Sequence, residues 1–276
     1  MEPPGIFGIV NVTRDSFSDG GRYLSPDQAL AHADGLRADG ADVLDLGAES
    51  THPDSEDVAA DEEIRRLEPV VAALVGDGAS VSVDTTKAEV MRAMLALGVD
   101  WLNDVNGFRD QDALAAAAAA PPQVRFVVMF SRSRGPRADR GAAGAGDLFA
   151  ELREFFDERR RAFAAVGVGA DRLVFDPGMG FFLGRDASPS LFVLRQLDQL
   201  TRDYGELLVS VSRKSFLGEV TDSPVGQRGP ATLAAELWAA RRGARWIRTH
   251  DVRALRDACR VEAAIAAAGR EQGAVS

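Results

Sequence analysis

Along this chain of 276 residues, short apolar runs keep ending in polar or charged clusters. The clusters are Asn11, Glu49-Ser50-Thr51-His52, Asp84, Asn103-Asp104, Asp176-Pro177-Gly178, Arg213-Lys214-Ser215 and Arg248-Thr249-His250-Asp251. One run, ending at Met129, closes on an apolar residue instead. Any single cluster could be a turn or a helix cap, for which Ser, Thr, Asn or Asp suffices. That reading leaves Lys214, Arg248 and His250 unexplained. Asp84, Asn103 and Asp176 supply acceptors and one amide. Such a set can read the edge of a flat heterocycle that carries an amino group and ring N–H donors. A carboxylate accepting two of those N–H groups makes a charge-assisted pair. Asn11, Arg248 and His250 form a second set, suited to a phosphate. A heterocycle bearing a phosphate is the ligand these residues describe.

The clusters need a scaffold that brings them together. Strands are expected near Ile6–Thr13, Ala41–Glu49, Ala79–Thr85, Trp101–Gly107, Arg125–Ser131, Arg172–Gly178, Leu207–Arg213 and Ala244–His250. Their runs are apolar throughout, as in parallel strands covered on both faces. Helical patterns separate them. Ser25-Pro26 opens one, with serine as N-cap and proline at the first helical position. Thr86–Leu97 and Glu151–Ala165 have amphipathic spacing and end near glycines. Eight βα units imply an α/β fold, a single (β/α)8 TIM barrel over residues 1–276. An open doubly wound sheet is the runner-up. The C-terminal ends of barrel strands carry the active site, which is where the clusters fall. Residues 131–147, SRSRGPRADRGAAGAGD, are expected to form a mobile loop after strand five. Ala115–Ala120 reads as helix, the tail after Ala268 as frayed, Glu62–Arg66 as a solvated helix face, and Trp238 and Trp246 as packing residues.

Composition narrows the partners. A net charge of −10 argues against a general nucleic-acid surface, while a local arginine cluster can still hold an anionic small molecule. No apolar stretch is long enough to span a bilayer. With no basic segment ahead of the first apolar run, and Cys259 as the one cysteine, a reducing, cytoplasmic location is expected. His32, His52 and His250 are too scattered, even with Cys259, for a zinc site. The glycines between 141 and 146 make no dinucleotide fingerprint, because no strand and helix frame them.

The motifs are nonetheless familiar. NVTRDSFSDGG, at Asn11–Gly21, resembles the NVTPDSFSDGG segment of dihydropteroate synthases. ADVLDLGAESTHP, SVDTTKAEV, LNDVNG, FDPGMGF, SVSRKSFLG and ATLAAELWAARRGARWIRTHDV follow in that family's order, from about Gly5 to Ala267. The resemblance implies a TIM barrel that joins 6-hydroxymethyl-7,8-dihydropterin diphosphate to p-aminobenzoate and releases pyrophosphate, a step of folate biosynthesis. It implies that Asp84, Asn103, Asp176 and Lys214 hold the pterin, with Met129 on its face. Asn11, His52, Arg248 and His250 would meet the diphosphate, with Mg²⁺ near Asn11. Thr51, Pro53, Phe181 and Ser215 would approach the arylamine. Lys214, Arg248 and His250 would carry the catalysis, and the protein would be a homodimer formed through its late helices.

The departures gather on the acceptor side. The family's proline in the first loop is Arg14 here. Its STRPG loop reads Ser50-Thr51-His52-Pro53-Asp54, the histidine that follows Met129 is Phe130, and a lysine of its GFGK-like segment is Leu183. Arg14, Arg132 and Arg134 are candidates to restore the missing charge. The chain also starts at strand one, without the family's short leading hairpin, so the barrel bottom is expected to be less covered. Three alternatives stand beside a true synthase: a homologue that passes the pterin to another acceptor, a pterin-binding methyltransferase-type barrel, and a non-catalytic pterin-binding protein. The SRKSFLG and RTHD motifs favour diphosphate release over the methyltransferase type.

Overall fold

The computed structural model describes residues 3–12, 25–49, 57–132 and 147–272, the side chains of 269–272 excepted. Strands and helices alternate: β1 (Gly5–Asn11), α1 (Pro26–Ala38), β2 (Val43–Gly47), α2 (Ala60–Gly76), β3 (Val81–Asp84), α3 (Ala88–Leu97), β4 (Trp101–Asp104) and α4 (Gln111–Ala118). The second half runs β5 (Arg125–Met129), α5 (Leu148–Ala165), β6 (Leu173–Asp176), α6 (Ala187–Tyr204), β7 (Leu208–Val209), α7 (Ser215–Thr221), α8 (Gly229–Arg241), β8 (Trp246–Thr249) and α9 (Val252–Gln272). The strands are all parallel, in the order β6-β5-β4-β3-β2-β1-β8-β7. A parallel bridge from Phe175 to Leu207 joins the two outer strands and closes the TIM barrel.

Local chemistry sets the helix starts. Ser25 and Gln28 form a reciprocal capping box at α1. Asp110, Asp147 and Asp186 cap α4, α5 and α6 through their side chains. The strands are shorter than the sequence suggests, because the polar residues past each ladder turn to the mouth instead of pairing. β7 keeps only two of its expected seven positions. The tail after Ala268 is a further correction, since α9 stays helical to Gln272.

Strand parity divides the interior. Ile6, Val10, Leu44, Leu46, Val81, Val83, Phe126, Val128 and Phe175 point outward and are buried under the helices. The inward residues form two zones. At the N-terminal end, Phe7, Val43, Trp101, Val127, Val174 and Leu208 pack with Trp246. The rings of Phe7, Trp101 and Trp246 meet edge to face, with centroids 5.1–5.4 Å apart. Gly5 lies so close that a Cβ there would stand 2.2 Å from the Trp246 ring, so only glycine leaves the indole its place. The lower end of the barrel, expected to be thinly covered, is thus filled from within.

Candidate functional site

Above the aromatic plug, the inward positions become charged. Register places Asp45 beside Ser82, Gly47 beside Asp84, Asp84 beside Asn103, and Met129 beside Asp176. Side chains of paired residues in parallel strands share a face, so Asp84, Asn103, Met129 and Asp176 converge inside the barrel as the sequence predicts. Asp176 is fixed by its turn. Its Oδ1 accepts the Gly178 N–H at 2.8 Å, which leaves Oδ2 for a ligand. Gly178 itself has φ 67°, and a Cβ there would lie 2.3 Å from the Phe130 carbonyl oxygen.

Asp45 is a site residue that sequence reasoning missed. It is fully buried; its Oδ2 accepts from Arg248 Nε at 2.5 Å and from Asn103 Nδ2 at 3.4 Å. Among the described residues its Oδ1 has no hydrogen-bond partner. The Arg248 guanidinium also donates to Asp84 at 3.1 Å. In the sequence reading Arg248 faces a diphosphate; here it is turned into the barrel and spends its donors on two carboxylates. The signal that could have found Asp45 is a lone acid inside the apolar run VLDLG at inward parity.

Lys214 lies beside Asp176. Its Nζ donates to the Met179 carbonyl at 3.1 Å and sits 5.1 Å from the Phe182 ring centroid. Burial lowers its pKa to about 8, helped by Arg248 and resisted by Asp176 and Asp84. The carboxylates move the other way. Burial, more than any neighbour, lifts Asp84 to about 7 against the pull of Arg248, with Asp45 adding repulsion. Burial likewise lifts Asp176 to about 6, against Lys214 and the Gly178 N–H. The pocket is therefore richer in acceptors than its own cations can satisfy, and a flat ligand with several N–H donors would complete it. Val105, Met129 and Phe182, with Phe181 against them, supply an apolar wall.

At the mouth, Asn11 ends β1 on the inward parity and is half-buried. His250 is held by its Nδ1, 2.9 Å from Ser212 Oγ. Burial, then Arg213, Arg248 and His32, push its pKa down to about 3, so it is neutral near pH 7 and acts as a polar group rather than a cation. Ser215 opens α7 immediately after Lys214.

On the acceptor side, Phe181 is at the apolar wall, whereas Thr51, His52 and Pro53 lie outside the described residues. So do Arg14, Asp54, Arg134 and most of the loop at 131–147. Arg132 is described and already engaged: it forks onto Glu151 at 2.8 and 2.9 Å and donates to the Leu183 carbonyl at 3.1 Å. It is not free to restore the missing charge. Glu62–Arg66 is not wholly solvated either. Glu63 is fully buried and ion-paired to Lys87, which also pairs with Glu49 at the end of β2, and Arg66 donates to the Ala48 carbonyl. Trp246 is a packing residue, as expected, but Trp238 is 41% exposed, its indole N–H tied to Leu194 O at 2.9 Å and its ring stacked under the Arg242 guanidinium at 4.6 Å. Asp104, next to Asn103, faces out of the barrel and receives the N–H groups of Asn106 and Phe108, so it braces a loop.

Comparison with known proteins agrees with this geometry. A family model described as "pterin binding enzyme" matches residues 7–250. The chain is 49% identical over 261 residues to the dihydropteroate synthase type-2 of Escherichia coli, covering 94% of this chain and 95% of that one. A Xanthomonas albilineans dihydropteroate synthase solved with 4-aminobenzoic acid superposes with a TM-score of 0.86 at 40% identity, over 96% of this chain and 94% of that one. Its complex with 7,8-dihydropteroate gives 0.83 at 38% identity, over 96% and 95%.

Proposed function

The chain belongs to the pterin-binding enzyme family, and from that membership we infer that it is a transferase performing the dihydropteroate synthase reaction of folate biosynthesis. The observation that carries the reading is the convergence of Asp84, Asn103 and Asp176 above the aromatic plug, with Lys214 beside them and Met129 and Phe182 as an apolar wall. A pterin offers an amino group and ring N–H donors along one edge, which matches that acceptor set. Over the barrel, taken as one domain from residue 1 to 276, the roles divide by height. The pterin sits on the buried layer, and the diphosphate and arylamine sit at the mouth.

The reaction breaks the bond between the pterin methylene carbon and the diphosphate oxygen. Its electron pair leaves on pyrophosphate, the arylamine nitrogen bonds to the carbon, and the ammonium then loses a proton. Positive charge builds on the pterin as the bond lengthens. Asp84 and Asp176 are already placed to stabilise it, and Asp45 holds Arg248 so that the cluster is not over-charged. Asn11, His52 and His250 serve the diphosphate, while Arg248 stays turned inward on Asp45 and Asp84, and Thr51, Pro53, Phe181 and Ser215 serve the arylamine. Mg²⁺ fits this arrangement. Asn11 offers one hard oxygen at the mouth, and such an ion commonly takes one or two protein oxygens and completes its shell with phosphate and water. Bound there, it would neutralise the leaving group.

Coarser properties follow the same reading. No described helix is long and apolar enough to cross a membrane, and we assign the protein to the cytoplasm. We also assign it a homodimer through its late helices. Leu191 and Phe192 on α6 and Trp238 on α8 are more than 40% exposed, which supports a buried face there. Light scattering checks that assignment.

The function is tested by measuring pyrophosphate release from the pterin diphosphate with and without p-aminobenzoate. Release that requires p-aminobenzoate supports the reading. Release indifferent to it would confine the protein to the pterin half of the reaction. Pterin binding with no release at all would make it a non-catalytic binder.

A further inference from the structure

Lys214 owes its direction to an unfavourable backbone. Its N–H closes a turn onto the Val211 carbonyl at 3.2 Å, and its side chain runs past Gly180 to the Met179 carbonyl, 3.1 Å from Nζ. The third residue of that turn, Arg213, has φ 58°, in the left-handed region where a Cβ crowds the backbone. A turn with positive φ at its third position usually carries glycine or asparagine there. An arginine keeps that conformation only when its surroundings hold it.

The start of α8 holds it from both sides. Thr232 Oγ1 accepts the Arg213 N–H at 3.0 Å, and Arg228 Nη1 donates to the Arg213 carbonyl, also at 3.0 Å. Thr232 is buried, and its own N–H donates to the Arg228 carbonyl at 2.8 Å, so the two holders share one helical turn. The Arg228 guanidinium is itself seated. Its Nε donates to the Ser223 carbonyl at 3.1 Å, and Gly218 on α7 leaves it room, since a Cβ there would stand 2.4 Å from Nε.

We propose that Arg228 and Thr232 are positioning residues for Lys214: they clamp Arg213 in the left-handed conformation that aims the lysine inward beside Asp176. Neither need touch a ligand; both act through the Arg213 backbone. The consequence for pterin rests on the function inferred above, whereas the clamp itself belongs to the unliganded protein.

Carbon-13 NMR of protein labelled at lysine reads the aim of Lys214 directly, since the chain has two lysines, Lys87 and Lys214. In the unliganded wild-type protein Lys214 should titrate near pH 8, among Asp176, Arg248 and Asp84. Thr232→Val removes the acceptor and lets Lys214 swing toward water. Its titration should then climb by roughly one pH unit, tenfold in proton affinity. Arg228→Met, which removes the other half of the clamp, should raise it in the same way. Thr232→Ser should keep the wild-type value. So should Thr232→Val combined with Arg213→Gly, because glycine adopts positive φ without a clamp. Calorimetric titration with 6-hydroxymethyl-7,8-dihydropterin diphosphate supplies the second readout. Thr232→Val should weaken binding roughly tenfold, the worth of one hydrogen bond, but less than about threefold when added to Arg213→Gly. An unmoved Lys214 titration in both Thr232→Val and Arg228→Met overturns the proposal. Equal losses of affinity with and without Arg213→Gly overturn it too, since a merely structural Thr232 would not distinguish the two backgrounds. The expected lysine titrations in a protein that binds no pterin diphosphate would refute the inferred function and leave the clamp standing.

Discussion

The two halves of the barrel interior are built from opposite materials. Below, Phe7, Val43, Trp101, Val127, Val174, Leu208 and Trp246 fill the bore with carbon. Above, on the same strands and two residues further along, stand Asp45, Asn103, Met129, Asp176 and Arg248. Phe7 leads up its strand to Asn11, and Trp101 is two residues from Asn103. The lower layer gains from burying apolar surface and asks nothing of a ligand. The upper layer carries carboxylates held away from their preferred charge, at a cost in folding that a bound pterin would recover. One sheet therefore separates the part that stabilises the fold from the part that binds.

That separation can be broken from either side. The largest effect is expected below. Phe7→Ala removes a fully buried ring from the plug and should cost roughly 3–5 kcal/mol in denaturant unfolding. Pterin affinity should change less than about threefold while the variant stays folded, as for independent sites. A large loss of affinity would mean that the plug also sets the site.

Above, Asp176→Asn keeps the shape and removes the charge. It should weaken pterin binding by roughly 30–150-fold, equivalent to about 2–3 kcal/mol for a hydrogen bond to a charged group. Its unfolding midpoint should hardly fall. A destabilised protein with unchanged affinity would reverse the assignment of the two layers.

Smaller again is the effect of pH. The folded values of Asp84 and Asp176 are raised, to about 7 and about 6. Their contribution to stability is therefore present below about pH 4 and lost as pH rises through 6 and 7. Lys214, lowered to about 8, contributes above its ordinary value and loses that contribution as pH falls through 8, so it adds no slope between pH 5 and 7. The unliganded protein should lose roughly 1–2 kcal/mol per pH unit between pH 5 and 7, and Asp84→Asn should flatten the slope. Pterin binding should also release protons near pH 6, which calorimetry in buffers of different ionisation enthalpy would detect. Zero release would show that the ligand does not meet ionised carboxylates.

The smallest effect lies at the rim of the plug. Glu206 accepts from Trp246 Nε1 at 2.7 Å and from Arg125 at 2.8 Å, but its side chain is 41% exposed. Glu206→Gln should cost about 1 kcal/mol or less, read by thermal melting.

How much of this was legible in the sequence depended on where a residue stands in its strand. Asp84, Asn103 and Asp176 close apolar runs, so the change from carbon to charge announces them. Asp45 is hidden inside such a run, and its meaning appears only when parity points it at Arg248, 203 positions away. Ser212 reads as an ordinary strand-end hydroxyl; no spacing rule joins it to His250, 38 positions away. Arg132 was misjudged for a related reason. A loop arginine looks free until Glu151 and the Leu183 carbonyl are brought to it. The barrel itself was readable because eight short apolar runs with helical separators have few ways to close.

The central claim is that the charged upper layer, and not the barrel as a whole, is the pterin site. Calorimetric titration of wild-type, Phe7→Ala and Asp176→Asn proteins with 6-hydroxymethyl-7,8-dihydropterin diphosphate tests it most directly. The account predicts near-equal affinities for the first two and a loss of at least 30-fold for the third. Equal affinity in all three, or a loss confined to Phe7→Ala, would contradict it.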